Sequence, residues 1–150
     1  MLSPILLDLF IRDLQKLEEE IKLYEKDDDL WILGGSINNT AGNLCLHICG
    51  NLQHFIGAIL GHSGYERNRE DEFSQKYIPR YQLIHEIEKT KAILDTTLKN
   101  LSEEDLFSIY PVHVFGKELN TSYFLIHLLS HLNYHLGQVN YHRRLLAKTI

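Results

Sequence analysis

Residues 123–138 read YFLIHLLSHLNYHLGQ and decide the interpretation of the whole chain, because leucine and histidine side chains recur there at helical spacing. An α-helix has 3.6 residues per turn, so side chains three and four positions apart lie on one face. Asn120 and Thr121 supply capping side chains, and the pattern predicts a long helix from there to about Ala147. The face that we expect to enter the core comprises Leu125, Leu128, Leu132, Leu136 and Val139.

Three further helical patterns precede this one. Apolar residues recur at helical spacing over residues 2–26, from a capping cluster at 36–40 to about residue 60, and over residues 80–101. Residues 62–80 are polar and charged, and they are long enough to connect opposite ends of a bundle. We therefore predict an all-α four-helix bundle with a long crossover between helices 2 and 3.

Shorter segments complete the prediction of a single domain that covers residues 1–150. Residues 102–105, SEED, are typical of a capping box that opens a short turn. Residues 108–119 alternate like extended chain, and we expect a short hairpin there, before the last helix. Trp31 and Phe73 are expected to anchor loops over the end of the bundle or to wall a substrate pocket.

Composition and charge exclude several classes of protein. The formal net charge of −5 argues against nucleic-acid binding, which needs a basic surface. No apolar run approaches the roughly 20 residues of a membrane span, and the N-terminus lacks the basic region and cleavage site of a signal peptide. Cys45 and Cys49 are the two cysteines of the chain and give no disulfide framework of a secreted protein. We expect a cytoplasmic protein that binds neither nucleic acids nor membranes.

Nine histidines in 150 residues are the unusual feature of the composition. His127, His131 and His135 flank the apolar stripe at intervals of four, so their rings face inward, where an unpaired imidazole is costly to bury. Two imidazoles at this spacing can bind one metal ion. All three cannot, because the first and the last are roughly 12 Å apart along the helix axis. One adjacent pair is expected to bind an ion, and the third histidine has another role.

A further ligand has to come from another helix, and His47 is the candidate on helix 2. Cys45 and Cys49 point away from it, about 200° around the helix. His54 shares the face of His47 but lies roughly 10 Å further along the axis, too far for the same ion. Three imidazoles with an open coordination position fit a divalent transition metal, zinc or nickel first and iron, cobalt or manganese as alternatives. For each histidine, a hydrogen-bonded core residue is the alternative interpretation.

Several residues near these histidines are candidates for a supporting role. Gln138 is expected either to orient a ligand or a metal-bound water, or to make a hydrogen bond between helices. Asn51, one turn beyond His47, either supports the site or has a simple packing or solvent role. His127 is a candidate for lining the pocket. The other residues have predicted roles outside the site. Gly137 is expected to allow close helix approach, and Tyr134 and Tyr141 are expected to pack. His142 is expected at a rim or interface, and three further histidines at the surface, namely His62, His85 and His113.

Three segments resemble the DinB/YfiT-like superfamily. Residues 131–138, HLNYHLGQ, match its His-x-x-x-His-x-Gly-Gln signature. Residues 43–52, NLCLHICGNL, are similar to its second-helix segment, which carries a single ligand histidine. The charged residues 69–73, REDEF, resemble one uncharacterised subfamily. The resemblance spans nearly the whole chain.

The resemblance implies an up-down-down-up bundle, usually a homodimer, with one metal ion held by His47, His131 and His135. Characterised relatives include S-transferases that use bacillithiol and a mycothiol-dependent isomerase. The implied activity is therefore that of a metal-dependent transferase or isomerase that uses a low-molecular-weight thiol as its small-molecule substrate.

Two alternatives stay open. One is a metal-dependent hydrolase, which the lack of an obvious Asp or Glu on the histidine faces weakens. The other is a non-enzymatic metal-binding or stress-associated dimer, in which a fourth protein ligand closes the coordination sphere.

Overall fold

The computed structural model describes residues 1–147 and places six α-helices in them. Four helices are long and correspond to the four predicted patterns, whereas two short ones lie in the connections. The helices are α1 Leu2–Leu23, α2 Ala41–Leu52, α3 Arg69–Ser74, α4 Arg80–Lys99, α5 Glu103–Phe107 and α6 Thr121–Leu146.

α2 differs from a regular helix at its C-terminal end. It begins at Ala41 behind the N-cap Thr40, whose side chain accepts a hydrogen bond from the backbone N–H of Asn43. After Leu52 the chain continues as a π-helical segment, Gln53–Ala58. Such widened turns are rare and occur frequently at functional sites.

The first and last long helices run in the same direction. Asn133 donates to Asp13 at 2.6 Å, and Asn140 donates to Glu20 at 2.7 Å. Residue numbers therefore increase in the same direction along α1 and α6. α4 runs the other way beside α1. The Ser3 hydroxyl near the start of α1 donates to the backbone carbonyl at the end of α4 at 2.5 Å.

α2 completes the bundle between α4 and α6. The His47 and His131 rings lie 5.0 Å apart and the Phe55 and Phe124 rings 5.2 Å apart, so α2 and α6 are antiparallel. The four long helices α1, α2, α4 and α6 therefore run up, down, down and up. None of the helices within residues 1–147 is long and apolar enough to cross a lipid bilayer.

Two predicted connections differ in detail. The crossover from α2 to α4 contains α3, and Trp31 ends a 3-10 helix, Asp27–Trp31. Trp31 is buried against α2 at Gly42, where an added Cβ would come within 2.6 Å of the indole ring. The anchoring role predicted for Trp31 is thereby confirmed.

The prediction of a hairpin at residues 108–119 is wrong in its extent. The structure forms a single antiparallel bridge there, between Ile109 and Asn120, and residues 1–147 contain no strand. Pro111 has no backbone N–H to continue the ladder, which explains why pairing stops beside Tyr110. The Tyr110 hydroxyl instead donates to the carbonyl of Phe55 at 2.6 Å and fixes this connection to the π-helical segment.

The outer face of α6 carries unexpected apolar side chains. Tyr134 and Tyr141 do not pack in the bundle but are each 66% exposed. Gly137 does not allow close helix approach, since no atom lies within 4 Å of a Cβ added there. We call the exposed apolar residues of this face the outer stripe, namely Tyr123, Ile126, Tyr134, Tyr141 and Leu145.

Candidate metal centre

Three histidine rings from two helices converge on one point inside the bundle. The Nε2 atom of His131 lies 3.2 Å from Nε2 of His47 and 3.1 Å from Nε2 of His135. The ligand atoms of the three residues all lie within 4.8 Å of one another, and no other group of this kind occurs within residues 1–147. The sequence prediction that these three rings meet is confirmed.

The spacing of these nitrogens fits a shared metal ion. Two nitrogens that bind zinc tetrahedrally at about 2.0–2.1 Å are about 3.3 Å apart. Hydrogen bonds alone do not account for both contacts, because the Nε2 atom of His131 carries either one hydrogen or one lone pair in the ring plane. The cluster is therefore compatible with metal binding.

The backbone of each helix explains how the rings meet. His131 and His135 lie one turn apart on α6, which places their rings on one face. His47 lies in the middle of α2, which crosses α6 at that level and leaves His47 only 6% exposed. The rings on α6 are half-buried, so the cluster lies between the core and the surface.

A carboxylate behind His47 fixes the orientation of its ring. His47 Nδ1 donates to Glu72 Oε1 at 3.0 Å, which leaves the Nε2 lone pair directed at the other two histidines. Arg67 donates to both oxygens of the same carboxylate, at 2.8 and 2.9 Å. Burial opposes the charge on Glu72, but the hydrogen bonds from His47 and Arg67 outweigh it and lower the pKa of the carboxyl.

The approach of Glu72 to α2 requires a glycine at position 50. A Cβ on Gly50 would overlap the Glu72 carboxylate. Two turns earlier, the Asn43 amide donates to the backbone carbonyls of Glu72 and Gln75 at 3.0 and 2.8 Å and holds the end of α3 against α2. Together Gly50 and Asn43 position the carboxylate behind His47.

Gln138 fixes the orientation of the His135 ring in the same way. Its Oε1 accepts a hydrogen bond from His135 Nδ1 at 2.7 Å, so the Nε2 lone pair of His135 also faces the cluster. Of the two roles predicted for Gln138, the structure shows the orienting contact to a candidate ligand.

Burial keeps the histidines on α6 in the neutral form that binds metal. Burial is the main cause that lowers the pKa of His131 to about 4, and the neighbouring imidazoles of His135 and His47 add to it. Burial also lowers the pKa of His135, which the hydrogen bond with Gln138 partly offsets. Both rings therefore offer lone pairs at neutral pH.

The comparisons with known proteins agree with this architecture. The model of a family described as "Protein of unknown function (DUF1572)" matches residues 9–149. The chain belongs to the DUF1572 family. No curated protein matches the sequence.

A crystal structure of a DinB-like protein from Bacillus cereus is similar to this DUF1572 protein. The two share 18% sequence identity and a TM-score of 0.68, over 94% of this chain and 95% of the other. At this identity the match shows the fold. The fold that the resemblance to the DinB/YfiT-like superfamily implied is thus confirmed.

Aromatic rings border the histidines of the DUF1572 protein on two sides. The Phe73 ring lies 4.8 Å from His47, so Phe73 walls the site, the second of its two predicted roles. On α6, the His127 ring is exposed and stacks 5.8 Å from Phe124 and 6.5 Å from His131. His127 does not belong to the cluster of His47, His131 and His135, and its role in lining a pocket stays a prediction.

Asn51 is the unexplained polar residue of the site. It lies one turn beyond His47 and is 7% exposed. No donor within residues 1–147 forms a hydrogen bond with its side-chain oxygen. The burial of Asn51 rules out the predicted solvent role, whereas support of the site and packing stay predictions.

Sequence reasoning missed Glu72 and Arg67 as parts of the site. Their segment was noted only for its charged residues, and the signal that identifies them is the pairing of an acidic residue with a buried histidine across the crossover. Helix periodicity cannot show this pairing, because 25 residues separate Glu72 from His47.

The remaining histidines and cysteines lie outside the cluster. His54 packs on Phe55 at 4.7 Å, and His142 accepts from the Tyr24 hydroxyl at 2.7 Å and donates to the Ile32 carbonyl. The cysteines are buried and free, and neither belongs to the cluster. The three histidines predicted for the surface are exposed, namely His62, His85 and His113.

A mostly apolar cavity of about 640 Å³ adjoins the site at Gln138. Its walls are the loop of residues 34–39, the start of α2 and the end of α6, with Leu44 and Tyr141 among the lining residues. This volume is within the range of small-molecule pockets.

Proposed function

We propose that His47, His131 and His135 bind one divalent transition metal, and that the protein is a metal-dependent transferase or isomerase that uses a low-molecular-weight thiol. The convergence of three Nε2 atoms within 4.8 Å carries this proposal. Zinc or nickel suits three imidazoles best, and iron, cobalt and manganese are the alternatives.

The contacts behind the rings support metal binding. Glu72 and Gln138 each accept from an Nδ1 atom, so His47 and His135 present their lone pairs before any ion arrives. Three protein ligands leave a tetrahedral ion one open position, which is the pattern of catalytic rather than structural sites. This argues against the alternative in which a fourth protein ligand closes the site.

The residues around the site would activate a thiol, limit the access of water and bind a second substrate. His47, His131 and His135 would hold the ion, which would lower the pKa of a bound thiol and so supply a nucleophile at neutral pH. Phe73 covers one side of the His47 ring and limits the access of water. The cavity beside Gln138 offers space for the apolar part of a second substrate.

The contacts of Glu72 make it unsuited to be the general base of the hydrolase alternative. A metal-dependent hydrolase usually needs a free carboxylate or imidazole to accept a proton from water. Glu72 is buried, and its two oxygens accept hydrogen bonds from His47 and Arg67. It therefore orients a ligand and has no free oxygen directed at a substrate.

Metal analysis of the purified protein, produced without an affinity tag, tests the site. We expect about one equivalent of metal in the wild type and a loss of most of it in His131→Ala. His85→Ala, which removes an exposed histidine of α4, is the matched control and should keep its metal. Equal metal content in all three proteins would disprove the site.

Thiol consumption in the presence of an electrophile tests the activity. We expect the metal-stripped protein to lose turnover and the same sample to recover it when zinc or nickel is returned. A protein that binds metal but consumes none of the tested cellular thiols would retain the site and exclude the activity.

A further inference from the structure

The cavity between the start of α2 and the end of α6 has walls without a charged carboxylate, ammonium or guanidinium group. Of its 13 lining residues none is Asp, Glu, Lys or Arg, although these four types make up 23% of the chain. An ion that entered this space would lose water without gaining an oppositely charged partner, which is costly. The walls therefore favour a neutral occupant.

The same walls contain both buried and exposed apolar side chains. Ala41 and Leu44 of α2 are buried, whereas Ile37, Tyr141 and Leu145 are exposed, so the cavity opens to solvent. Its volume of about 640 Å³ suits a small molecule rather than a single water. A molecule that enters from water therefore gains free energy by burying its apolar surface there.

Two polar side chains that α6 contributes to the cavity are already paired within the chain. One ring nitrogen of His142 accepts from the Tyr24 hydroxyl at 2.7 Å, and the other donates to the Ile32 carbonyl at 2.8 Å. The Gln138 Oε1 atom accepts from His135 Nδ1. An occupant therefore meets no free imidazole nitrogen on this side, which favours a molecule that is largely apolar.

The cavity begins about one helical turn from the candidate metal ligands on both helices. Leu44 precedes His47 by three residues on α2, and Gln138 follows His135 by three residues on α6. Because α2 and α6 are antiparallel, both steps go in the same direction along the bundle, each by roughly 4.5 Å. Gln138 joins the two regions, since it lines the cavity and contacts His135 at 2.7 Å. A substituted benzene ring is long enough to span this step.

We propose that this cavity binds the electrophile of the thiol transfer, and that this electrophile is neutral and largely apolar. The inference rests on the proposed function and names the class of its second substrate. With an aryl chloride as the electrophile, the thiol sulfur forms a bond to the ring carbon that carries chlorine. The carbon–chlorine bond breaks, chloride leaves with the electron pair, and the thiol proton passes to water. Charged electrophiles of the same shape bind poorly, because the walls offer no counter-ion.

Binding of a matched pair of fluorescent probes to the metal-free protein tests the cavity without any turnover. Anilinonaphthalene is neutral, and anilinonaphthalene sulfonate carries one negative charge on the same rings. We expect the neutral probe to bind about tenfold more tightly. Ile37→Asp charges the loop wall and should weaken binding of the neutral probe about tenfold. Ile5→Asp, which alters an isoleucine of α1 that is also exposed, is the matched control and should leave binding unchanged.

A matched pair of electrophiles, given to the zinc-loaded protein with a cellular thiol, tests the role in transfer. A chlorodinitrobenzene with both nitro groups beside the chlorine is neutral, and the corresponding chlorodinitrobenzoate adds a carboxylate opposite the chlorine. Relative to the spontaneous rate constant of each compound, kcat/KM should be about tenfold higher for the neutral one. Ile37→Asp should raise KM for the neutral compound about tenfold with little change in kcat. Anilinonaphthalene should inhibit the wild type in competition with this electrophile.

The outcomes separate this inference from the proposed function. Equal affinities for the two probes, equal kcat/KM for the two electrophiles, or binding that Ile37→Asp leaves unchanged would overturn the apolar site and leave the thiol activity intact. Binding of the neutral probe by the monomer alone would also overturn it, because a second copy of the chain would then fill the cavity. Probe binding without turnover of either electrophile would overturn the thiol activity and the role that rests on it.

Discussion

At the scale of single residues, the Glu72 carboxylate has the largest influence on the candidate ligands. It accepts from His47 Nδ1 and from Arg67, and it is 5% exposed. The contact fixes which nitrogen of His47 carries the proton, and Arg67 prevents the carboxylate from turning away. Partners behind metal-binding histidines commonly change metal affinity 10–100-fold when they are mutated.

Glu72→Gln should lower zinc affinity by about 10–100-fold. The amide keeps the shape of the side chain, but it turns an NH2 group, which is a donor, toward Arg67 or His47, which are themselves donors. Competition with a chromophoric chelator measures the affinity, and Glu70→Gln on the exposed side of α3 is the matched control. Unchanged affinity in Glu72→Gln would show that the carboxylate does not support the site.

At the scale of secondary structure, α6 has three faces with three uses. Leu128, Leu132 and Leu136 face the core, His131 and His135 face α2, and the outer stripe faces solvent. Gly137 lies on the exposed side of this helix, with open space around it. A glycine in a helix interior usually lowers stability, so its presence here is unfavourable for the isolated chain.

Gly137→Ala should raise the free energy of unfolding by about 0.5–1 kcal/mol, because alanine loses less backbone entropy in a helix. Urea denaturation measures the change. Gly57→Ala is the matched control: a Cβ there would come within 2.6 Å of Ile93, and the crowding should destabilise the protein by about 1–3 kcal/mol. A destabilised Gly137→Ala would indicate that this position packs against something other than solvent.

At the scale of the whole molecule, the site joins three segments that are far apart in sequence. α2 provides His47, α6 provides His131 and His135, and the crossover provides Glu72. The outer stripe lies on the opposite side of α6 from the core. Exposed aromatic residues grouped on one helix face are typical of protein–protein interfaces.

We expect a homodimer that buries the outer stripe. Light scattering after size-exclusion chromatography should give about twice the 17.5 kDa of one chain. Tyr134→Glu should shift the protein to the monomer, because the interface would then contain unpaired charges. Tyr81→Glu alters a tyrosine of α4 that is 70% exposed, and this control should leave the dimer intact. A wild type of single-chain mass at about 100 μM would contradict the dimer.

Much of the fold and part of the site could be predicted from particular residues. The leucine spacing predicted α6, and the spacing of His131 and His135 predicted two rings on one face, since both depend on local helix geometry. The extent of the 108–119 hairpin and the exposure of Tyr134 were predicted wrongly. Both depend on which surfaces pack against another part of the protein. The alternation of residue types along the chain does not specify this.

The sequence by itself determined the helices, their apolar faces and the pair of histidines on α6, because interactions three and four residues apart lie within one element. Only the tertiary structure decided that Glu72 meets His47 and that Gly50 makes room for it. These are contacts between segments that are far apart in sequence: His47 and His131, for example, are 84 positions apart. Helix packing rather than helix periodicity brings such groups within hydrogen-bonding distance.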